Sequence, residues 1–111
     1  MDDCLFCKII KGEIKSTKVF ENENIFAFED INPKAPVHIL IVPKRHIASL
    51  NEITAADREI IGEILLAAKN IAKEKNIEKS GYRTVFNTGP DAGQAVFHIH
   101  LHLLGGRKFS W

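Results

Sequence analysis

The segment Phe97-His98-Ile99-His100-Leu101-His102-Leu103-Leu104 sets an imidazole at every second position. Side chains alternate faces along a strand, so His98, His100 and His102 share one face and Phe97, Ile99, Leu101 and Leu103 the other. The apolar face is core material. The histidine face is not, because imidazoles are polar, titrate near neutrality and need partners when buried. Three readings of it stand. An exposed sheet face tolerates histidine without using it. Imidazole nitrogen suits zinc, although residues two apart on a strand lie about 7 Å apart and three in line converge poorly on one ion. Finally, a neutral imidazole attacks phosphorus while a neighbour gives a proton to the leaving group.

A second constellation is Cys4-Leu5-Phe6-Cys7, which has the spacing of half a zinc site. A thioredoxin-like redox pair shares this spacing but follows a strand in a βαβ unit, and only three residues precede Cys4. Two reduced, unligated thiols are the plain alternative. With only two cysteines so close together, no disulfide framework is expected. His38 interrupts the run Val37 to Val42 and faces the opposite side from Val37 and Ile39. It is expected in the histidine network near the nucleophile, a buried and satisfied histidine being the alternative.

These residues need a scaffold. At about 150 residues per domain, 111 residues make a single domain spanning 1–111. Fifteen Lys and Arg against 14 Asp and Glu leave a charge of +1, which argues against a nucleic-acid or membrane-surface binder. No apolar run approaches a membrane span, and the acidic start MDDCLFCKII lacks the pattern of a signal peptide. A cytoplasmic location is expected.

Thr54-Ala55-Ala56-Asp57 reads as a capping box opening a long helix. Along that helix Ile60, Ile64, Ala67 and Ile71, flanked by Ile61, Leu65, Ala68 and Ala72, form one apolar stripe. Gly62 interrupts it, as close packing on a sheet would explain. A short helix is expected over Leu5 to Lys11. Strands are expected at Lys18 to Glu21, Ile25 to Glu29, Val37 to Val42, Tyr82 to Asn87 and Phe97 to Leu104. The pattern is α+β, with a mainly antiparallel five-stranded sheet, one long helix and one short one.

His98-Ile99-His100-Leu101-His102-Leu103-Leu104 matches in full the His-φ-His-φ-His-φ-φ signature (φ apolar) of the histidine triad (HIT) family. The likeness extends to Phe28-Glu29-Asp30-Ile31-Asn32-Pro33, Pro36-Val37-His38, Pro43-Lys44-Arg45-His46-Ile47, Asn87 to Gln94 and Leu103 to Arg107. The sequence most resembles the small nucleoside phosphoramidate hydrolases of that family.

The resemblance implies that His100 attacks the α-phosphorus of a nucleoside 5'-phosphate derivative, forming a nucleotidyl-histidine that water hydrolyses. His102 would bond the phosphate and assist proton transfer to the leaving group, with Gln94 touching the scissile side and backbone N–H groups near Gly93 receiving phosphate oxygens. A purine, with adenosine expected, would lie among Phe6, Ile9, Phe28 and Ile31. Asp30 would accept from the ribose, unless it caps the turn at Asn32-Pro33, and Asn87 would lie near the sugar and phosphate. By the wider family, Cys4, Cys7, His46 and His98 would hold a structural zinc, with no metal required at the phosphate. The family forms homodimers in which two such sheets join, and Trp111 would reach the partner's site. Ala95 departs from the pattern, since close relatives commonly carry Ser there, so one hydrogen-bonding group to the phosphate or leaving group is lost. Two other functions stay open: cleavage of dinucleoside polyphosphates, and a zinc-stabilised nucleotide-binding scaffold with vestigial catalysis.

Overall fold

The β-branched and aromatic runs of the chain pair into one sheet in the computed structural model, which describes residues 3–111. The strands are β1 (Lys18–Glu21), β2 (Ile25–Glu29), β3 (Val37–Pro43), β4 (Tyr82–Phe86) and β5 (Leu101–Gly105). They lie in the order β1-β2-β3-β5-β4, all antiparallel. Helix α1 spans Leu5–Ile10 and α2 spans Arg58–Glu74.

Period-two alternation divides the apolar residues between two cores, one on each face of the sheet. On the first face Ile25, Ala27, Ile39, Ile41, Leu101 and Leu103 pack against Ile64, Ala67, Ala68, Ile71 and Ala72 of α2. On the second, Phe26, Phe28, Leu40 and Val42 pack against Phe6 and Ile9 of α1. His38 and His102 belong to this second face. The register pairs His38 with Leu104 and Leu40 with His102, so the two histidines are diagonal neighbours on adjacent strands.

Several expectations need correction. The triad strand begins at Leu101, not Phe97, because the peptide N–H of Ile99 bonds to Ile47 O at 2.7 Å instead of to a ladder partner. Phe97, expected on the apolar face, is 49% exposed. The Thr54 capping box is present but caps a single 3-10 turn, Ala55–Asp57, from which α2 continues. Leu65 does not join the stripe; with Leu66 it stays exposed on the outer face of α2. Gly62 does not meet the sheet, since a Cβ there would have nothing within 4 Å. No helix of the described residues is long and apolar enough to cross a membrane.

Candidate active site and metal centre

Backbone carbonyls fix the tautomers of His98 and His100. A carbonyl only accepts, so a ring nitrogen facing one carries a proton. Nε2–H of His98 donates to Pro43 O at 2.8 Å, which leaves Nδ1 of His98 as a lone pair. Two residues on, the assignment reverses. Nδ1–H of His100 donates to the carbonyl of His98 at 2.7 Å, so Nε2 of His100 is the free lone pair.

His102 is set through His38. The peptide N–H of Lys34 donates to Nδ1 of His38 at 3.1 Å, so neutral His38 holds its proton on Nε2. His38 Nε2 stands 3.0 Å from Nδ1 of His102, and Asp30 Oδ2 lies 3.4 Å from that same His38 Nε2. His102 therefore accepts at Nδ1 and carries its own proton on Nε2. Asp30, His38 and His102 also lie close enough to suggest a metal site. Because Nδ1 of His38 accepts from Lys34, a metal on Nε2 would require an imidazolate, and the hydrogen-bonded relay is the better account.

Burial dominates the electrostatics and holds His38, His98 and His100 below the ordinary histidine range. For His102, burial and then the neighbouring His100 and His38 push the pKa down to about 4. The Asp30 carboxylate opposes this without reversing it. Near neutral pH these rings are uncharged, as a lone-pair nucleophile and an N–H donor both require.

Cys4, Cys7, His46 and His98 bring one ligand atom each to within 4.8 Å of one another. Cys4 Sγ stands 3.4 Å from His98 Nδ1, and Cys7 Sγ stands 3.5 Å from both His46 Nδ1 and His98 Nδ1. Sulfur and nitrogen bound at usual zinc distances to a tetrahedral ion stand about 3.5 Å apart. The donor set thus fits a four-coordinate metal, and the hydrogen bond to Pro43 O turns the correct nitrogen of His98 toward it. Between the two cysteines, Phe6 sets its ring edge-on to His100, with centroids 4.9 Å apart at 89°.

Upstream of the triad the chain makes a tight turn with Gly89 at φ +83° and Gly93 at φ +84°, conformations that favour glycine. Gly89 N–H donates to Gln94 Oε1 at 2.9 Å, and Gln94 N–H returns to Gly89 O at 3.1 Å.

Residues 3–109 match the family model described as "Scavenger mRNA decapping enzyme C-term binding". An uncharacterised HIT-like protein of Synechococcus elongatus is 49% identical over 99% of this chain and 96% of its own length. The chain belongs to the histidine triad family. A maize 14 kDa zinc-binding protein is 51% identical over 96% of this chain and 84% of its own. The crystal structure of a HIT family hydrolase from Legionella pneumophila superposes with a TM-score of 0.97 at 53% identity, covering 98% of this chain and 97% of that one.

Within this histidine triad fold the predicted residues scatter more than the motifs suggest. Phe6, Ile9 and Phe28 are buried in the second core, whereas Ile31 is 91% exposed and walls nothing in the single chain. Asp30 caps the turn, its Oδ1 accepting from Asn32 N–H at 2.8 Å, while Oδ2 turns to His38. Asn87 is half-buried just beyond β4.

Two expectations at the turn are corrected. Gln94 is 5% exposed, and every hydrogen bond of its amide goes to protein backbone, so no donor remains for a substrate. The Gly93 N–H is consumed by Pro90 O at 3.0 Å. Among the described residues, the N–H groups of Ala95 and Val96, next along the chain, meet no protein acceptor, and neither do those of Phe97 and His98 beyond them. Also missed were the contributions of Lys34 N–H, Pro43 O, Ile47 O and Ala48 O. Every residue has these peptide groups, so they leave no sequence signal.

Proposed function

We propose that this protein hydrolyses nucleoside 5'-phosphoramidates or related mixed anhydrides, with adenosine as the expected nucleoside, and releases the nucleoside monophosphate. One observation carries the reading: neighbouring rings hold complementary tautomers. His100 offers a lone pair at Nε2 and His102 a proton at Nε2, with ring centroids 5.0 Å apart. Nε2 of His100 attacks the α-phosphorus as the bond from phosphorus to the leaving nitrogen breaks, giving a nucleotidyl-histidine. His102 Nε2–H bonds the departing nitrogen. Water then displaces His100 from phosphorus. Over both halves one water supplies the hydroxyl on phosphorus and the hydrogen on the amine. The unpaired N–H groups of Ala95 and Val96 suit phosphate oxygens, and Ala95 keeps this backbone donor although it lacks a hydroxyl.

Zinc is the metal proposed for Cys4, Cys7, His46 and His98. Four protein ligands leave no open position, so its role would be structural, fastening α1 to the triad segment.

A homodimer is proposed on the strength of the open edge of β4, where a second sheet can add antiparallel. Exposed Leu65, Leu66 and Tyr82 supply apolar surface on α2 and β4, and fully exposed Trp111 is free to reach across. Sedimentation equilibrium should give twice the chain mass, and Leu66→Glu should give the monomer. A monomeric native chain overturns the assembly.

The deciding assay is AMP release from adenosine 5'-phosphoramidate by the native protein and His100→Ala. Release by the native chain alone supports the reading. Equal or absent release in both overturns it. Faster cleavage of a dinucleoside polyphosphate would favour that substrate class, and AMP binding without turnover would favour the scaffold.

A further inference from the structure

Gln94 sits where three backbone segments meet. Its Oε1 accepts from Gly89 N–H at 2.9 Å, and its Nε2 donates to Ala48 O at 2.8 Å and Val96 O at 3.1 Å. Only a primary amide supplies one good acceptor and two donors at such a fork, because a carboxylate lacks the donors and a thioether offers no donor and only a weak acceptor. Burial makes the bonds costly to lose, as each stranded peptide group would be left unpaired.

The second segment is the strap 43–49, which crosses the site from β3. Its side chain His46 joins the metal cluster, Pro43 O holds the His98 ring, Ile47 O takes Ile99 N–H, and Ala48 O takes Gln94. The strap thus grips the triad segment at His98 and Ile99, and Gln94 extends that grip to the turn.

We infer that Gln94 is a positioning residue that locks the Gly89–Gln94 turn to the strap and so sets where the Ala95 and Val96 N–H groups stand. Its consequence for turnover rests on the function proposed above; its placement does not. The metal cluster, the triad segment and the turn then form one backbone assembly, joined through carbonyls of the strap.

The test begins with the native, metal-loaded protein. By NMR, the Gln94 side-chain amide should exchange with water at least about tenfold more slowly than a free amide. It should hold its chemical shift at saturating AMP while the Ala95 and Val96 amides move. Gln94→Met should speed exchange at Gly89 N–H about tenfold and weaken AMP about tenfold, with adenosine affinity nearly unchanged. Gln94→Glu retains the acceptor and should keep Gly89 protected. A Gln94 amide that exchanges freely or shifts with AMP overturns the inference, and so does Gln94→Met with native Gly89 exchange. Should Gln94→Met fail to fold, the native spectra and Gln94→Glu decide. If AMP does not bind at all, the proposed function fails, while slow Gln94 exchange and Gly89 protection still support the placement.

Discussion

The Nδ1–H of His100 donates to the carbonyl of His98 across 2.7 Å, while the His98 ring turns its own Nδ1 toward Cys4 Sγ and Cys7 Sγ. One residue therefore serves two sites, with its ring in the Cys4, Cys7 and His46 cluster and its peptide oxygen fixing the lone pair of its neighbour. The two roles are separable, because substitution removes a side chain and leaves the carbonyl.

His98→Ala should lose the metal and destabilise the fold by about 2–5 kcal/mol, through the cavity and the stranded Pro43 carbonyl. It should still turn over phosphoramidate at a reduced rate. His100→Ala should keep its metal and lose at least about 10³-fold in turnover. Metal analysis beside AMP release checks both, and identical behaviour of the two variants would refute the separation.

One equivalent of zinc per chain should be found by elemental analysis, and Cys4→Ser or Cys7→Ser should abolish it. Chelation should lower stability by at least about 3 kcal/mol, as expected for a closed structural site. Loss is expected first at α1, whose N-cap is Cys4 Sγ accepting from Cys7 N–H. Hydrogen exchange at α1 that ignores the chelator would refute this.

Burial favours neutral His102, lowering its pKa from 6.5 to about 4. Above pH 6.5 both folded and unfolded chains hold it neutral and the fold keeps its full stability. As pH falls from 6.5 toward 4, the unfolded chain takes up a proton that the folded one refuses, and stability drops by up to about 3 kcal/mol from this ring. His38, lowered by the same cause, adds in the same direction. Urea unfolding at pH 7, 5.5 and 4 should show this loss in the native chain and a smaller one in His102→Gln. Parallel profiles would argue against a buried relay.

Two glycines should respond oppositely to the same change. A Cβ at Gly62 meets nothing within 4 Å, so Gly62→Ala should stabilise α2 by about 1 kcal/mol. At Gly105 a Cβ would stand 2.5 Å from Ile77 Cδ1 and 3.2 Å from its Cβ, so Gly105→Ala should cost about 1–3 kcal/mol. Thermal unfolding of both variants checks the signs.

Patterned side chains were the legible part of this protein. The apolar run Val37 to Val42, the alternation of the triad segment and the 3.6-residue stripe of α2 each predicted their element, although β5 starts later than expected and the Thr54 box caps the 3-10 turn that leads into α2. A side chain's face follows from its position on a strand or helix. The CxxC spacing pointed to a cluster, and the fold does bring Cys4, Cys7, His46 and His98 together. Where the reading failed, a backbone group or an unforeseen neighbour decided. Phe97 left the strand because Ile99 N–H went to the strap. Leu65 had no sheet to meet, and Gln94 spent its amide on three peptide groups.

By itself the sequence determined the element types and which side chains share a face of each strand, since these follow from residue type and period. Only the tertiary structure decided which nitrogen of each histidine carries the proton. That choice depends on whether a carbonyl or an N–H faces the ring, and Lys34, Pro43 and His98 supply those groups from peptide bonds that any residue would have.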